Sequence, residues 1–398
     1  MKTYKTSAYL DKLLNSRTAV TILWFGMAFY GFMQAVDNTG TSNYIIYKYV
    51  FIHASHSKIL YLPDPAQGPD VNIYGPLFSV IIAPFTLLPD KAGAFCWVML
   101  NALFLYWSLL KLPLPNKWKN ILMLLSSQEL MITSGAYQTN AFVCSCIILG
   151  FCYIRKEKEG WALFFIMLAT FVKIYGITAL AFFFLSKRKV KFIVAAITWS
   201  VVLFFAPLLI VNFNFLLQSY KDWYAGLKIK AAKNILPGKE ILFQNVSVPG
   251  MLRRILFPRL LDWLVLLPAA CLFISQYLQL KFRSDLRYQL YLLCSVLIAT
   301  VIFSTGSESA TYIIAVPGMV IWYLLQPKTK FLQVFFWTAF ILTSFSYSDI
   351  LTSWSRTHLY RPYSLKAFFP FVIWIIIVVQ IYTKQFLKAI NPFKLIPL

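Results

Sequence analysis

Acidic side chains are scarce in this chain of 398 residues, with 14 Asp and Glu against 37 Lys and Arg. Charge of either sign is thin, at 13% of residues, where a soluble domain carries roughly 25%. There are three histidines, His53, His56 and His358, and none sits in an H-E-x-x-H or similar spacing. The six cysteines form no C-x-x-C and no Cys/His cluster. Cys96, Cys144, Cys146, Cys152, Cys271 and Cys294 all lie in apolar stretches and read as small buried residues. No D-x-D occurs, so neither a metal nor a cofactor is expected. A soluble basic face is also missing, which argues against nucleic acid as a partner. There is no internal repeat, no low-complexity tract and no polar stretch long enough to hold a second domain.

What is abundant is apolar surface: 59% of the residues are hydrophobic and the mean hydropathy is +0.67. That excludes a water-soluble globular protein, and it excludes disorder, which needs low hydrophobicity. The composition implies one all-α polytopic membrane domain over residues 1–398. Apolar runs fall at 19–36, 76–88, 94–111, 121–133, 141–154, 161–172, 174–186, 191–211, 261–279, 288–303, 311–325, 331–346 and 367–383. The first follows a short basic start without a small-residue cleavage pattern, so it reads as a retained helix.

Basic clusters set sidedness. They are Lys111/Lys117/Lys119, Arg155/Lys156/Lys158, Lys187/Arg188/Lys189/Lys191, Lys281/Arg283/Arg287, Lys328/Lys330 and Lys384/Lys388/Lys394. Placing them and the N-terminus in the cytoplasm collects 22 of the 37 basic residues there. Both termini are then cytoplasmic and the number of crossings is even, about 12. The run 76–88, short and flanked or broken by Pro76, Pro84 and Pro89, reads as a half-membrane segment. Residues 121–154 and 161–186 are each bounded by basic clusters at both ends and must be hairpins. Helices of about 13 residues span only about 20 Å of a roughly 30 Å hydrocarbon core. The polar tips 134–140 and 172–176 are therefore expected inside the outer leaflet, where irregular backbone is tolerated only beside protein or a cavity. The remaining polar segments, 37–73, 212–260, 304–309 and 346–366, gather on the outer side.

Candidate residues follow from this frame. Asp37 comes directly after the first apolar run, and Tyr44, Tyr47 and Val50 after it keep helical spacing, as in an interfacial helix. A carboxylate beside apolar walls suits a general base, though a helix cap or a solvated loop position fits the same residue. Asp64 and Asp70, in a Pro/Gly-rich connection, read as turn residues. Lys173 sits midway in an apolar run and suits a lipid phosphate or a carboxylate such as Glu308. Gln138 and Asn140, at the neighbouring tip, offer neutral amides for sugar hydroxyls, or caps for helix ends. Arg253 and Arg254, before the next crossing, suit a bidentate phosphate contact or anionic headgroups. Glu308 lies between two helices on the outer side, and Glu129 reads as a cavity residue or a helix-end charge. Asp349, Arg356 and His358 belong to a last outer loop without a recognisable pattern. The acceptor pattern Asn245-Val246-Ser247 is too short to weigh.

The order of motifs resembles a known family. After Asp37 and the Tyr-rich stretch come L-Y-x-P (60–63), Y-G-P-L-F-S-V-I-I-A-P-F-T-L-L-P (74–89), Trp97 and Asn101, Y-Q-T-N (137–140), F-V-K-I-Y-G (171–176) and Q-N-V-S-V-P-G-M-L-R-R (244–254). Over residues 20–330 this is similar to glycosyltransferase family 87, a group of GT-C-fold enzymes that use polyprenyl-phosphate sugars, mannosyltransferases of phosphatidylinositol mannoside synthesis among them. The chain departs from the family's common Y-P-P-L at Tyr74-Gly75-Pro76-Leu77 and from its K-x-x-P at Lys173-Ile174-Tyr175-Gly176. The resemblance implies a GT-C-like fold and an inverting transfer of a mannose-like sugar from a polyprenyl-phosphate donor to a lipid or glycan acceptor. It places the reaction outside the cytoplasmic membrane, with membrane lipids as surroundings. It makes Asp37 the matching general base; from the residues themselves, Lys173, Arg253 and Arg254 are the expected donor-phosphate ligands and Gln138, Asn140, Glu308 and Tyr74 the expected substrate-binding residues. Two other classes compete. A transporter or flippase of a lipid-linked saccharide would show matching halves with broken helices, which are absent here. A non-catalytic scaffold gives no reason for Asp37 together with Lys173.

Overall fold

The structure is a computed structural model and describes residues 12, 14–67, 70–234, 244–348 and 351–392. Among the described residues every regular element is helical. The first half holds α1 (Arg17–Thr39), α2 (Ser42–Ser55), α3 (Phe78–Thr86), α4 (Asp90–Lys111), α5 (Asn116–Gly135), α6 (Asn140–Arg155) and α7 (Glu159–Val172). A 3₁₀ helix, Ile174–Phe184, completes it. Then follow α8 (Lys189–Phe205), α9 (Phe213–Lys233), α10 (Val248–Ile255), α11 (Trp263–Ser275), α12 (Leu286–Ile302), α13 (Ala315–Leu325), α14 (Lys330–Ser344) and α15 (Phe368–Tyr382). Helix starts carry the expected side-chain caps: Ser16 accepts from the Ala19 amide at 3.2 Å, Asn212 from Phe215 at 2.9 Å and Thr329 from Leu332 at 3.2 Å.

Among the described residues, five segments are long and apolar enough to cross a membrane unaided: Arg17–Asn38, Asp90–Lys111, Lys189–Leu209, Trp263–Phe282 and Leu365–Tyr382. Six shorter apolar helices accompany them. The burial pattern explains their roles. Helices α12 and α13 are buried nearly all round, as a central pair must be. Helices α8 and α11 instead turn Val190, Ile193, Val194, Ile197, Leu264 and Leu267 outward. Such apolar faces are untenable in water and ordinary in lipid. The run 76–88 contains only the nine-residue α3, with Pro84 inside it, about 14 Å of helix. Where α1 passes α5 the backbones touch: a Cβ on Gly31 would stand 2.3 Å from the Met131 carbonyl oxygen.

Four sequence expectations are corrected. Helix α1 runs to Thr39 and stops at Gly40 (φ 65°), so Asp37 lies within its last turn rather than after it. Helix α5 has 20 residues, not 13, because Asn116, Lys117, Lys119 and Asn120 are helical though polar. Glu129 is accordingly a fully buried mid-helix residue and not a helix-end charge. Cys271 is exposed on the outward face of α11 rather than buried. By contrast, the spacing of Tyr44, Tyr47 and Val50 is helical as expected, and all three are buried on one face of α2. Asp64 does form a turn, accepting from Ala66 at 2.9 Å, and it also meets the buried His53 ring at 3.0 Å. The Ala66 amide and then the imidazole hold the Asp64 carboxyl below its usual range.

Basic clusters far apart in sequence are neighbours at one end of the bundle. Glu157 bridges Lys187 at 3.0 Å and Arg188 at 3.1 Å, and these contacts, that with Lys187 foremost, hold its carboxyl low. Arg155 donates to Gln289 at 2.6 Å, Cys152 meets the Lys111 carbonyl at 3.5 Å and the Ile390 amide meets Leu325 at 2.8 Å. The opposite end joins Trp223 to the Ile73 carbonyl at 3.0 Å, Asn234 to Thr305 at 2.9 Å and Asn43 to Ala136 at 2.9 Å. Lys2, Lys5, Lys239, Asp349 and Lys394 lie outside the described residues.

This two-ended arrangement predicts sidedness. Single cysteines introduced at Arg188 and at Lys228 in a cysteine-free background should react with an impermeant thiol reagent from opposite faces of sealed vesicles. Labelling of both from the same face would overturn the arrangement.

Candidate functional site

The site begins at the break between α7 and the 3₁₀ helix. Lys173 leaves the helix in an extended conformation (φ −147°, ψ 120°). The Val172 carbonyl, an orphan of the helix end, accepts the Gly75 amide at 3.1 Å. The segment 72–76 is itself fixed, with Asn72 accepting the Tyr74 amide at 2.9 Å and Tyr61 donating to the Tyr74 carbonyl at 3.0 Å. The hydroxyls of Tyr47 and Tyr74 meet at 2.9 Å. Lys173 is thus held at the end of a helix, buried, with its ammonium 4.7 Å from the Tyr175 ring centre and 5.8 Å from that of Tyr74.

The second part is the tip between α5 and α6. Tyr137 adopts φ 56°, a costly left-handed conformation for a bulky residue. It is over-determined: its carbonyl accepts Trp97 Nε1 at 2.8 Å and its hydroxyl donates to Gly40 at 2.9 Å. This reversal aims the next residues inward. Asn140 Oδ1 accepts Lys173 Nζ at 2.8 Å, Asn140 Nδ2 donates to Gln138 Oε1, and Gln138 Nε2 donates to Glu308 Oε2 at 2.6 Å. Two amides therefore connect a buried ammonium to a carboxylate. Lys230, near the C-terminal end of α9, is close enough for its charge to act on Lys173, as does that of Glu308. Glu308 caps the 3₁₀ turn Ser309–Ile313, with its amide donating to Thr311 Oγ1 at 3.1 Å.

The adjoining residue, Ser309, faces a cavity of about 870 Å³. Helix α1 contributes Tyr30, Gln34 and Asn38, and α5 contributes Gln128 and Gly135. Tyr347, Ser348 and Arg356 close the far wall. Gln128 is 6% exposed, and its Nε2 has no partner among the described residues. Beneath the cavity lies an ion pair: Lys366 Nζ stands 2.9 Å from Glu129 Oε1, both side chains 0% exposed, and also meets Ser309 Oγ at 3.0 Å.

The structure brings Lys173, Gln138, Asn140, Glu308 and Tyr74 together from segments far apart in sequence. Asp37 is exposed and makes no hydrogen bond or ion pair among the described residues; its neighbour Asn38 lines the cavity. Arg253 and Arg254 do not join the group. Arg253 pairs with Asp262 and donates to the Leu260 carbonyl at 3.0 Å. Arg254 donates to the carbonyls of Arg361 at 3.0 Å and Gln244 at 2.8 Å, and to Ser364 Oγ. These contacts tie α10 to its surroundings, so the two guanidinium groups already have protein partners. Sequence reasoning missed Lys366, which directly precedes an apolar run and reads as a flanking charge, and Lys230, one of several lysines on α9.

The network predicts a stability effect. Asn140→Leu removes the acceptor of a buried ammonium and the donor to Gln138, a loss of about 1–3 kcal/mol. Thermal unfolding in detergent should show a clear fall in Tm; an unchanged Tm would mean that the amide bridge is not formed.

A family model described as glycosyltransferase family 87 matches residues 72–305, more than half of the chain. The matched span holds Tyr74, both tips, Lys173 and the arginine pair, while Glu308 lies three residues beyond its end and Asp37 lies 35 residues before its start. No curated protein matches the chain.

Proposed function

The chain belongs to glycosyltransferase family 87, and from that premise we propose that it transfers a mannose-like sugar, with inversion, from a polyprenyl-phosphate donor to a lipid or glycan acceptor. In this reading the fold is GT-C-like with about 12 crossings. The reaction takes place at the outer face of the cytoplasmic membrane, with both termini in the cytoplasm. The observation that carries the reading is the Lys173–Asn140–Gln138–Glu308 network beside the cavity under α1.

The chemistry assigns the parts. The acceptor hydroxyl attacks the anomeric carbon as its bond to the phosphate oxygen breaks. The bonding pair leaves on the phosphate, and the hydroxyl proton passes to a base. Lys173 has a compact charge and, among the described residues, donates a hydrogen bond to one amide oxygen, so its ammonium retains N–H groups for a phosphate oxygen. Lys230 adds positive potential at the same place. Gln138, Asn140, Glu308 and Tyr74 frame the sugar. The cavity walls, rich in neutral amides and hydroxyls around Asn38, Gln128 and Ser309, suit an acceptor polyol.

Asp37 is the base in this scheme. A carboxylate in the last turn of a helix faces the negative end of the helix dipole, which disfavours it by about 0.3–1 kcal/mol at a surface. Its place on α1 is therefore not explained by folding stability. Asp37→Asn should fold normally and bind donor, while single-turnover transfer falls by about 10²–10⁴-fold. Near-normal transfer by this variant, with loss in Glu308→Gln, would move the base to Glu308.

Lys173→Met should raise the KM for the polyprenyl-phosphate sugar more than that for the acceptor, because the ammonium meets the donor's fixed charge. Equal effects on both substrates would remove Lys173 from the phosphate.

A further inference from the structure

We propose that the buried pair Lys366–Glu129 is a positioning device that sets the geometry of the transfer site through Ser309 and Glu308. The proposal rests on the reading of the cavity and the Lys173 network as that site.

The argument starts from burial. Lys366 and Glu129 are fully enclosed, 237 residues apart in sequence and 2.9 Å apart in space. Stability alone gives no reason for ions here, since an apolar pair of similar volume holds a core about as well. What an apolar pair cannot do is fix a third group by hydrogen bonds. Lys366 Nζ does so twice, to Ser309 Oγ at 3.0 Å and to the Ser309 carbonyl at 3.2 Å. The ammonium also lies 4.8 Å from the Tyr312 ring centre and 5.7 Å from that of Tyr347, a cavity residue.

Ser309 is the hinge of the argument because of its neighbour. Glu308 receives Gln138, and through Gln138 and Asn140 the constraint reaches Lys173. Consecutive residues of one capped turn therefore carry the two buried lysines, one on each side. The turn has little freedom of its own: Ser307 donates to the Val301 carbonyl at 2.6 Å and accepts the Val246 amide at 2.8 Å. Glu129 adds a second link, since the adjoining Gln128 lines the cavity and α5 ends at the tip that holds Gln138. A shift of Lys366 thus moves Ser309 in the cavity wall and Glu308 in the network together. A displacement of about 1 Å in such a frame costs on the order of 10²-fold in rate.

The test uses the full-length protein in detergent or nanodiscs. The double variant Glu129→Gln/Lys366→Met removes both charges at once and avoids a stranded buried ion. It should keep the wild-type Tm within a few degrees and the donor KM within about threefold, while kcat falls about 10- to 100-fold. Lys366→Arg should recover part of that loss. Ser309→Ala, which leaves the ion pair intact, should lower kcat alone, and adding it to the double variant should lower kcat little further, because the residues act as one unit. Hydrogen exchange should quicken in the double variant at 136–140 and 173–176, not only beside the substitutions at 126–132 and 364–368.

An unchanged kcat overturns the proposal, as does a loss that adds in full to that of Ser309→Ala, or an exchange effect confined to the substituted segments. If the double variant does not fold, Ser309→Ala decides alone: no loss of kcat overturns the idea. If the wild-type protein transfers no sugar, the functional reading of the site falls, and the exchange pattern still decides the coupling.

Discussion

An ammonium group surrounded by apolar side chains must find acceptors or be expelled, and the described residues include two such groups. A lysine at the centre of a membrane helix costs about 2.5–3.5 kcal/mol on the insertion scale. Lys173 meets an amide oxygen and two aromatic faces; Lys366 meets a carboxylate, a hydroxyl and a carbonyl. The acceptors come from α5, from the first residue of α6 and from the turn after α12. Satisfying two cations therefore fixes how the two hairpins, the 304–312 turn and the start of α15 approach one another. The central helices α12 and α13 are mostly apolar and bury no ammonium; Ser295 on α12 meets a neutral partner, Trp374 Nε1, at 2.9 Å.

The same requirement separates the two ends of the bundle. At the basic end, ion pairs such as Glu157 with Lys187 are exposed, tolerant of substitution and worth little individually. At the other end, polar groups are buried and shared, so each has few alternatives. Rigidity is concentrated where the cavity lies, and the helix surfaces that face outward, on α8 and α11, need only be apolar.

How much of this was legible in the sequence depended on the kind of signal. Apolar runs located most of the helices, because length and hydropathy are local properties. The start of α5 was misplaced because polar residues there pack against protein rather than lipid: Asn120 donates to the Leu14 carbonyl at 2.8 Å. Lys173 was visible because it interrupts an apolar run. Lys366 was not, because a lysine at the edge of a run is also what a membrane interface produces. In the sequence the arginine pair reads as two cations without partners; the structure gives Arg253 a partner in Asp262, at the start of α11. Contacts between residues more than a hundred positions apart leave no trace in a single sequence.

The two departures from the family's common pattern turn out to meet at one place. Gly75 replaces a proline, and its amide donates to the Val172 carbonyl at 3.1 Å, a bond that proline cannot make. A Cβ there would stand 2.1 Å from the Phe171 carbonyl oxygen. Gly176, the other departure, presses on the same turn from its far side: a Cβ would stand 2.5 Å from the Thr170 amide nitrogen and 2.6 Å from the Ala169 Cβ. Both glycines let backbone approach the segment 169–172, and Lys173 follows it directly. The departures are therefore not independent losses of rigidity. Gly176 lets the chain fold tightly back after Lys173, and Gly75 supplies the hydrogen bond that holds the end of α7 in place. A proline at position 75 would remove that bond and widen the contact. The chain thus keeps its lysine in position by close backbone contacts and one amide donor.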